Sequence, residues 1–305
     1  MKGARGIVMT LTGVAAGGMI AVLFLPTLVS FLHAEIITPF EPEPFTLSVD
    51  PIARVIREEP PAVEQLSFRF LQRVAAFVAE QPWYQSVALV GLPTTVTIQP
   101  GSRKEQVARA FGTALKWDRK ATLAIDEGML FPSTYLVSPG MTPTDVEALI
   151  NAEFNNRVLE RYATSTREVV PVADALTIAS MLEREAGNAE EMRIISGIIW
   201  NRIFAGMRLQ LDATLSYARG TGSNGWWPVP RSRDKYIKSD YNTYMHSGLP
   251  PGPISNPSVA AIIAALNPRK TDCMFYFHSK TSEFFCSVTY EEHVALLKEQ
   301  YGRGR

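Results

Sequence analysis

The sequence lacks several features that mark particular classes of protein. Its 305 residues include only two cysteines, too few for a disulfide-rich scaffold. Its 30 basic residues equal its 30 acidic residues, which leaves no cationic excess of the kind that binds nucleic acid. The four histidines show no metal-ligand spacing, and no glycine-rich phosphate loop follows a strand pattern. We therefore expect no metal, no cofactor and no nucleic-acid partner.

Charge is absent from a run of 27 residues, 6–32, near the N-terminus. About 20 apolar residues suffice to span a bilayer. Lys2 and Arg5 precede the run, which predicts a cytoplasmic N-terminus and export of the rest. A cleaved signal peptide is the alternative, but its apolar region would be only about 7–15 residues long. We expect residues 1–34 to be an uncleaved single-pass anchor in the cell membrane, with the remainder outside the cytoplasm.

The segment after this run is rich in proline. Residues 35–62 contain six prolines among acidic residues, a composition typical of an extended spacer. Residues 63–80 carry apolar side chains at helical spacing, which predicts an amphipathic helix. A short strand is predicted at 96–98, followed by a helix at 104–115.

Helical patterns predominate from residue 170 onward. Two helices separated by Gly187 are predicted, the second ending before Gly206. Helices at 258–266 and 291–299 flank a predicted β-hairpin. Together these patterns predict an α+β fold. The expected parts are an anchor, 1–34; a spacer with an amphipathic helix, 35–90; a strand–helix part with its connection, 91–169; and a mainly helical domain with the hairpin, 170–305.

The predicted helix that ends before Gly187 places a carboxylate on its apolar face. Its apolar residues recur at i, i+3, i+4 and i+7: Ala175, Ile178, Ala179 and Leu182. At about 100° per residue, Glu185 falls inside this stripe, Glu183 at its edge and Arg184 opposite. Burial raises a carboxyl pKa and keeps the group protonated, as a general acid requires. The alternative is a helix-end glutamate that reaches water or pairs with an arginine.

An ordered set of motifs resembles the YceG-like, or MltG, family of endolytic murein transglycosylases. The motifs are Glu-Gly-Met-Leu-Phe-Pro-Ser-Thr-Tyr at 127–135, Glu-Arg-Glu at 183–185, Leu-Gln-Leu-Asp at 209–212, Asp-Tyr-Asn-Thr-Tyr at 240–244, and Gly-Leu-Pro-Pro-Gly-Pro-Ile-Ser-Asn-Pro at 248–257. The resemblance implies cleavage of the MurNAc–GlcNAc bond within peptidoglycan strands, giving 1,6-anhydro ends. It assigns the acid to the second glutamate of the Glu-x-Glu motif, which is Glu185.

The resemblance also implies supporting residues. Gln210 would bind sugar, and Asp212 would orient a partner or stabilise a cationic transition state, unless it caps a helix beginning at Ala213. Sugar recognition is also implied for three residues of one motif, Tyr241, Asn242 and Tyr244. The alternative for these three is a turn held by the asparagine side chain.

Arg202 lies on the apolar side of the helix predicted between Gly187 and Gly206. It could pair with Glu183 or Glu185 and set the pKa of the acid, or it could form a purely structural salt bridge. Cys273 and Cys286 would lie diagonally across the predicted hairpin and could form a disulfide in an oxidising compartment.

The strand–turn–helix at 95–115 resembles part of the LysM-like subdomain that precedes the catalytic part in the family. The resemblance further implies work beside peptidoglycan synthases, although no segment encodes such a contact recognisably. Two alternatives remain open: a muramidase-type hydrolase in which Asp212 activates water, and a non-catalytic glycan-binding scaffold. The presence of both glutamates of the motif disfavours the scaffold.

Overall fold

The computed structural model describes residues 44–57, 93–118 and 120–302. The apolar run 6–32 and the predicted amphipathic helix 63–80 lie outside the described residues. Within these three ranges, no helix is both long enough and apolar enough to cross a bilayer.

The described part is built from helices and small antiparallel sheets, which confirms the mixed helix and sheet class. The helices are α1 (Lys104–Leu115), α2 (Pro143–Phe154), α3 (Thr164–Val169), α4 (Val172–Glu185), α5 (Ala189–Phe204), α6 (Asp212–Arg219), α7 (Val259–Leu266) and α8 (Tyr290–Tyr301). The two-stranded sheets pair β1 (Val49–Asp50) with β2 (Val55–Ile56), β3 (Thr94–Thr97) with β4 (Thr134–Val137), and β5 (Phe275–His278) with β6 (Phe284–Ser287). A π-helical turn at Asn155–Leu159 extends α2, and a 3₁₀ turn lies at Ser232–Tyr236.

The larger hydrophobic core lies where α4, α5 and α7 pack against one another. The predicted apolar stripe of α4 is fully buried at Ala175, Ile178, Ala179 and Leu182. Helix α7 is apolar along its whole length, as expected of a helix enclosed by others. Trp200 of α5 donates its indole N–H to the carbonyl of Ala265, 3.0 Å away, and so joins α5 to α7.

A second hydrophobic core lies between the β3–β4 sheet and helices α1 and α2. Val96 of β3 is paired with Tyr135 of β4 in the antiparallel register, and both side chains are buried. Phe111 of α1 lies between the rings of Trp117 and Tyr135, with centroids 6.4 Å and 5.9 Å away. The predicted helix 104–115 is confirmed with these bounds.

The prediction of an extended spacer is wrong for residues 44–57. Phe45, Val49 and Ile56 are buried in the larger core. The backbone N–H of Phe45 donates to the carbonyl of Arg161, and that of Ser48 to the carbonyl of Leu266. Proline content predicted an extended chain, but burial of these three apolar side chains stabilises a packed one.

A buried polar network joins the two cores. Asn256 lies at its centre and is completely buried. Its Oδ1 accepts hydrogen bonds from the backbone N–H groups of Gly128 and Leu130, both 2.9 Å away. Its Nδ2 donates to the carbonyl of Ser102 at 2.9 Å and to Oε1 of Glu127 at 2.8 Å. The amide therefore uses both its donor and its acceptor ends to hold the proline-rich loop 248–257 against the smaller core.

Candidate active site

Glu185 is the last residue of α4 and is half-buried. Its Oε1 accepts a hydrogen bond from the backbone N–H of Ala213, 3.1 Å away. Its Oε2 accepts one from the hydroxyl of Tyr276, 2.9 Å away. The Ala213 N–H belongs to the first turn of α6, where backbone donors have no partner within the helix. Three separate segments, α4, α6 and β5, therefore meet at this carboxyl group.

Burial is the largest influence on this carboxyl and raises the pKa of Glu185 above its ordinary value. The two hydrogen bonds from Ala213 and Tyr276 oppose this effect, because both stabilise the charged form. The negative charge of Asp212 adds to the upward shift, and His278 reduces it. The pKa remains raised, so the group holds its proton to a higher pH than a free glutamate would.

Asp212 is the first residue of α6, and its side chain does not cap that helix. The cap position is Leu211, and no side-chain cap bond forms there. Oδ1 of Asp212 instead accepts the hydroxyl hydrogen of Tyr244 at 2.7 Å. Burial and the Asp212 carboxylate raise the pKa of Tyr244 far above its ordinary range, so the phenol remains a donor. The exposed Asp212 side chain and Tyr244 thus form a second polar pair beside Glu185.

Gln210 has a left-handed backbone conformation, with φ of 53°. A positive φ is uncommon for residues other than glycine and is held here by hydrogen bonds with Thr243. The N–H of Gln210 donates to the Thr243 carbonyl at 3.1 Å, and that of Leu211 donates to Thr243 Oγ1 at 2.9 Å. The side chain of Gln210 is exposed and therefore open to a ligand.

Arg202 forms neither the pair with Glu183 or Glu185 nor the structural salt bridge that its position suggested, among the residues that the structure describes. Arg202 is buried and donates to backbone carbonyls, that of Met274 at 2.6 Å and that of Leu209. The helical period identified the buried face correctly but not the acceptors, because these are backbone carbonyls, which no residue type marks. Because an arginine has five donors and no acceptor, three converging carbonyls, including that of Arg208, satisfy it without a carboxylate. Arg202 fixes the segment before Gln210 against the end of the hairpin.

Asn242 is completely buried and therefore not placed to touch a sugar directly. Its Nδ2 donates to the carbonyls of Lys235 and Ile237, and its Oδ1 accepts the N–H of Tyr244 at 2.9 Å. The turn held by an asparagine side chain is thus the interpretation that the structure supports. Asn242 fixes the backbone at Tyr244, while neighbouring Tyr241 packs its half-buried ring on Tyr217, 4.8 Å between centroids.

Glu183 and Arg184 have contacts quite different from those of Glu185. Oε2 of Glu183 accepts hydrogen bonds from the backbone N–H and the hydroxyl of Ser258, at 2.9 Å and 2.7 Å. Since Ser258 is the cap of α7, Glu183 holds the start of that helix. Arg184 places its guanidinium 4.0 Å from the ring centroid of Trp227. The three consecutive residues therefore point to three different neighbours.

Comparison with known proteins places the chain in a family. The sequence model of the YceG-like family matches residues 74–299. This chain belongs to the YceG-like family. The resemblance read from its motifs is therefore confirmed.

Two relatives of this YceG-like chain are named endolytic murein transglycosylase. The protein of Bacillus subtilis (strain 168) is 32% identical over 235 residues, which cover 76% of this chain and 62% of that protein. The protein of Streptococcus pneumoniae serotype 2 (strain D39) is 33% identical over 172 residues, covering 55% and 31% respectively. The chain thus spans less than two-thirds of the length of these relatives.

A solved structure has the same fold. The 2.6 Å crystal structure of a YceG-like protein from Listeria monocytogenes superposes with a TM-score of 0.59 at 25% identity. The superposition covers 72% of this chain and 80% of that one.

Two contacts of Glu185 in this YceG-like chain had no recognised signal in its sequence. Tyr276 lies in an apolar strand pattern, Phe275–His278, where an aromatic residue is expected to be core. The acceptor of its hydroxyl group, Glu185, is 91 positions away along the chain. The donor at Ala213 is a backbone group, which no residue type marks. A disulfide joins Cys273 to Cys286 and so ties the hairpin bearing Tyr276 together.

Glu127 is a second buried carboxyl in a family motif. Its part in the buried polar network that joins the two cores was not predicted from the sequence. It accepts the backbone N–H of Lys104 and the amide of Asn256. Burial raises the pKa of Glu127 to about 7, although the hydrogen bond from Lys104 opposes the shift. No cluster of three or more potential metal ligands occurs among residues 44–57, 93–118 and 120–302.

Proposed function

We propose that this YceG-like protein is a lytic transglycosylase that cleaves the MurNAc–GlcNAc bond inside peptidoglycan strands. One observation carries the proposal: the Glu185 carboxyl, with its raised pKa, lies between a backbone donor and a tyrosine hydroxyl. Two relatives named endolytic murein transglycosylase support the same reaction. The substrate is the glycan strand of the cell wall.

In the proposed reaction Glu185 acts twice. Its protonated carboxyl gives the proton to the glycosidic oxygen as the bond from that oxygen to muramic C1 breaks. The resulting carboxylate then takes the proton of the muramic C6 hydroxyl, whose oxygen forms the new bond to C1. The products are a 1,6-anhydromuramic end and a free GlcNAc hydroxyl, and Glu185 is protonated again. One carboxyl therefore suffices, because the nucleophile comes from the substrate.

The neighbouring residues have supporting roles in this proposal. Gln210 offers an exposed amide to the sugar, and the Asp212 carboxylate stabilises the positive charge that develops at C1. Tyr244 holds Asp212 through its hydroxyl. Tyr241 packs on Tyr217 and so supports the segment that carries Tyr244. Asn242 and Arg202 act indirectly by fixing the segments that carry Tyr244 and Gln210.

The test of this assignment compares Glu185→Gln with Glu183→Gln in the full chain, purified in detergent. We expect Glu185→Gln to lose about 10²–10⁴-fold in rate, since glutamine cannot donate the proton. We expect Glu183→Gln to retain activity, because its amide oxygen can still accept from Ser258. Mass spectrometry of digested strands counts 1,6-anhydro ends, with circular dichroism as the folding control.

The same digests separate the alternative functions. Reducing ends without anhydro ends would identify a hydrolase, for which Asp212 beside Glu185 supplies a candidate base. Strand binding without any cleavage product would identify a scaffold. A dead Glu183→Gln with an active Glu185→Gln would refute the residue assignment.

The proposal places the protein in the cell membrane with its catalytic part outside the cytoplasm. The uncharged run 6–32 after Lys2 and Arg5 supports an anchor, and the β3–α1 unit supports a partial LysM-like part within 91–169. Peptidoglycan synthases are the proposed neighbours in cell-wall assembly. Protease added to intact spheroplasts should remove residues 35–305. Protection until the cells are lysed would refute this topology.

A further inference from the structure

We infer that a cationic rim beside the active site binds the anionic peptides carried by the glycan strand. The cationic rim consists of four side chains on the 3₁₀ turn and its flanks: Arg231, Arg233, Lys235 and Lys238. This inference rests on the proposed function and names what the site recognises besides sugar.

All four rim side chains are exposed. The acidic residue among them, Asp234, is buried and does not neutralise them. Its Oδ2 already accepts from the Arg219 guanidinium at 2.5 Å and from the backbone N–H of Arg231 at 2.6 Å. Asp240 is the one exposed acid in the stretch 229–246. Because the whole chain has no net charge, this positive excess is local.

Contacts join the rim to the candidate active site. Asn242 holds the turn through the carbonyls of Lys235 and Ile237, and the Lys235 ammonium lies 5.0 Å from the centroid of the Tyr244 ring. Tyr244 donates to Asp212, whose neighbour along the chain donates to Glu185. Hence a strand that places its scissile bond at Glu185 would carry its substituents toward this turn.

The chemistry of the proposed substrate complements this charge. Each muramic residue of peptidoglycan carries, on its lactyl group, a short peptide with free carboxylates. The bond cleaved is at C1 of that same sugar, so a negatively charged peptide always lies close to it. Long, exposed arginine and lysine side chains can reach such groups without a fixed geometry. The rim should therefore contribute to strand binding and leave the chemical step at Glu185 unchanged.

An anionic membrane surface is the competing occupant. Val229 and Tyr236, which are 84% and 80% exposed, lie in the same loop and could insert among lipids. The contact of Lys235 with Tyr244 favours the substrate instead, because it places the 3₁₀ turn beside the candidate active site.

The test measures strand binding by the full chain in detergent, with Glu185→Gln as the background so that strands stay intact. Strands bearing peptides are compared with strands from which an amidase has removed them. The rim variant is Arg231→Ala/Arg233→Ala/Lys238→Ala, which spares Lys235 and its contact with Tyr244. The control is Arg109→Ala/Lys120→Ala/Lys270→Ala, an equal charge change at exposed positions outside the rim.

We expect the rim variant to weaken binding of peptide-bearing strands by about tenfold at low salt, since each exposed ion pair is individually weak. The difference should disappear near about 1 M salt, where the screening length is about 3 Å. Binding of peptide-free strands, which keep only the lactyl carboxylate that the amidase exposes, should weaken much less, and the control variant should bind both kinds of strand as the background does.

Equal losses for both kinds of strand, or no loss for either, would overturn the inference. So would a lower affinity for short-chain phosphatidylglycerol added to the detergent solution, at unchanged strand affinity, which would assign the rim to the membrane. Because the readout is binding, failure of the wild-type chain to form anhydro ends would count against the proposed reaction alone.

Discussion

At Glu185, two hydrogen-bond donors oppose the effect of burial on the carboxyl pKa. A general acid must lose its proton readily enough to transfer it yet keep it until the substrate arrives. Tyr276 therefore has a tuning role as well as a positioning one, because its hydroxyl stabilises the carboxylate that remains after transfer.

Tyr276→Phe should move the alkaline limb of the pH–rate profile to higher pH. Loss of the donor raises the pKa of Glu185, so the acid stays protonated over a wider range. A hydrogen bond to a charged group contributes about 1.5–3 kcal/mol, which corresponds to a shift of about 1–2 pH units. The measurement is kcat/KM for the formation of anhydro ends as a function of pH, from about pH 5 to about pH 9.

The matched control is Tyr244→Phe, whose lost hydroxyl bonds Asp212 and not Glu185. Its limb should move less than that of Tyr276→Phe. Equal shifts in the two variants would show that the Tyr276 hydrogen bond has no particular effect on the acid.

At this scale the sequence predicted what is local. The 3.6-residue period placed Glu185 on the buried side of α4 because Leu182 and Ile178 lie on the same helix. It did not predict the contact of Glu185 with Tyr276 or that of Arg202 with the Met274 carbonyl, since these join residues 91 and 72 positions apart. The Arg208 and Leu209 carbonyls lie only 6 and 7 positions from Arg202, but a backbone acceptor has no signal in the sequence.

Among the elements, the start of α7 depends on a residue of α4. Oε2 of Glu183 receives two hydrogen bonds from Ser258, the cap of α7. They add to the packing of the two helices against each other in the larger core. This contact explains the first glutamate of the Glu-x-Glu motif structurally, without giving it a part in the chemistry.

Glu183→Ala should lower the free energy of unfolding by about 1–3 kcal/mol, because it leaves the Ser258 N–H without its acceptor. Urea denaturation followed by circular dichroism measures the change. The control is Glu190→Ala, which removes an exposed ion pair with Arg269 and should cost about 0–1 kcal/mol. A Glu183→Ala variant as stable as this control would contradict the role of the contact.

Element prediction succeeded where one segment carries its own signal. Helix α1 was predicted with its observed bounds, and α4, α5, α7 and the hairpin within a few residues. The pairing of β3 with β4 was not predicted, because it joins Thr94 to Val137 across a whole helix. The burial of Phe45 was missed for the same reason: its partners Arg161 and Tyr162 lie more than a hundred residues away.

On the scale of the whole molecule, the two cores meet at a buried carboxyl. Glu127 receives hydrogen bonds from the start of α1 and from Asn256 of the proline-rich loop. Burial is the largest influence on its pKa, and the neighbouring Glu105 adds to it, while Arg103 and Lys104 reduce the shift. With a pKa of about 7, Glu127 changes charge near neutral pH.

Glu127→Gln should remove a loss of stability that the wild-type chain suffers as pH rises. The folded-state pKa of about 7 lies above the unfolded value of 4.5, so the stabilising contribution is complete below pH 4.5 and is lost as pH rises through 7. The full difference amounts to about 3 kcal/mol.

Glutamine keeps an acceptor for Lys104 and Asn256 but does not titrate. Urea midpoints for the two chains should therefore diverge between these pH values, with the variant more stable at pH 8. Glu147→Gln, on α2 of the smaller core, is the control that should follow the wild type. Parallel curves for Glu127→Gln and the wild type would show that the junction between the cores does not depend on the charge of Glu127.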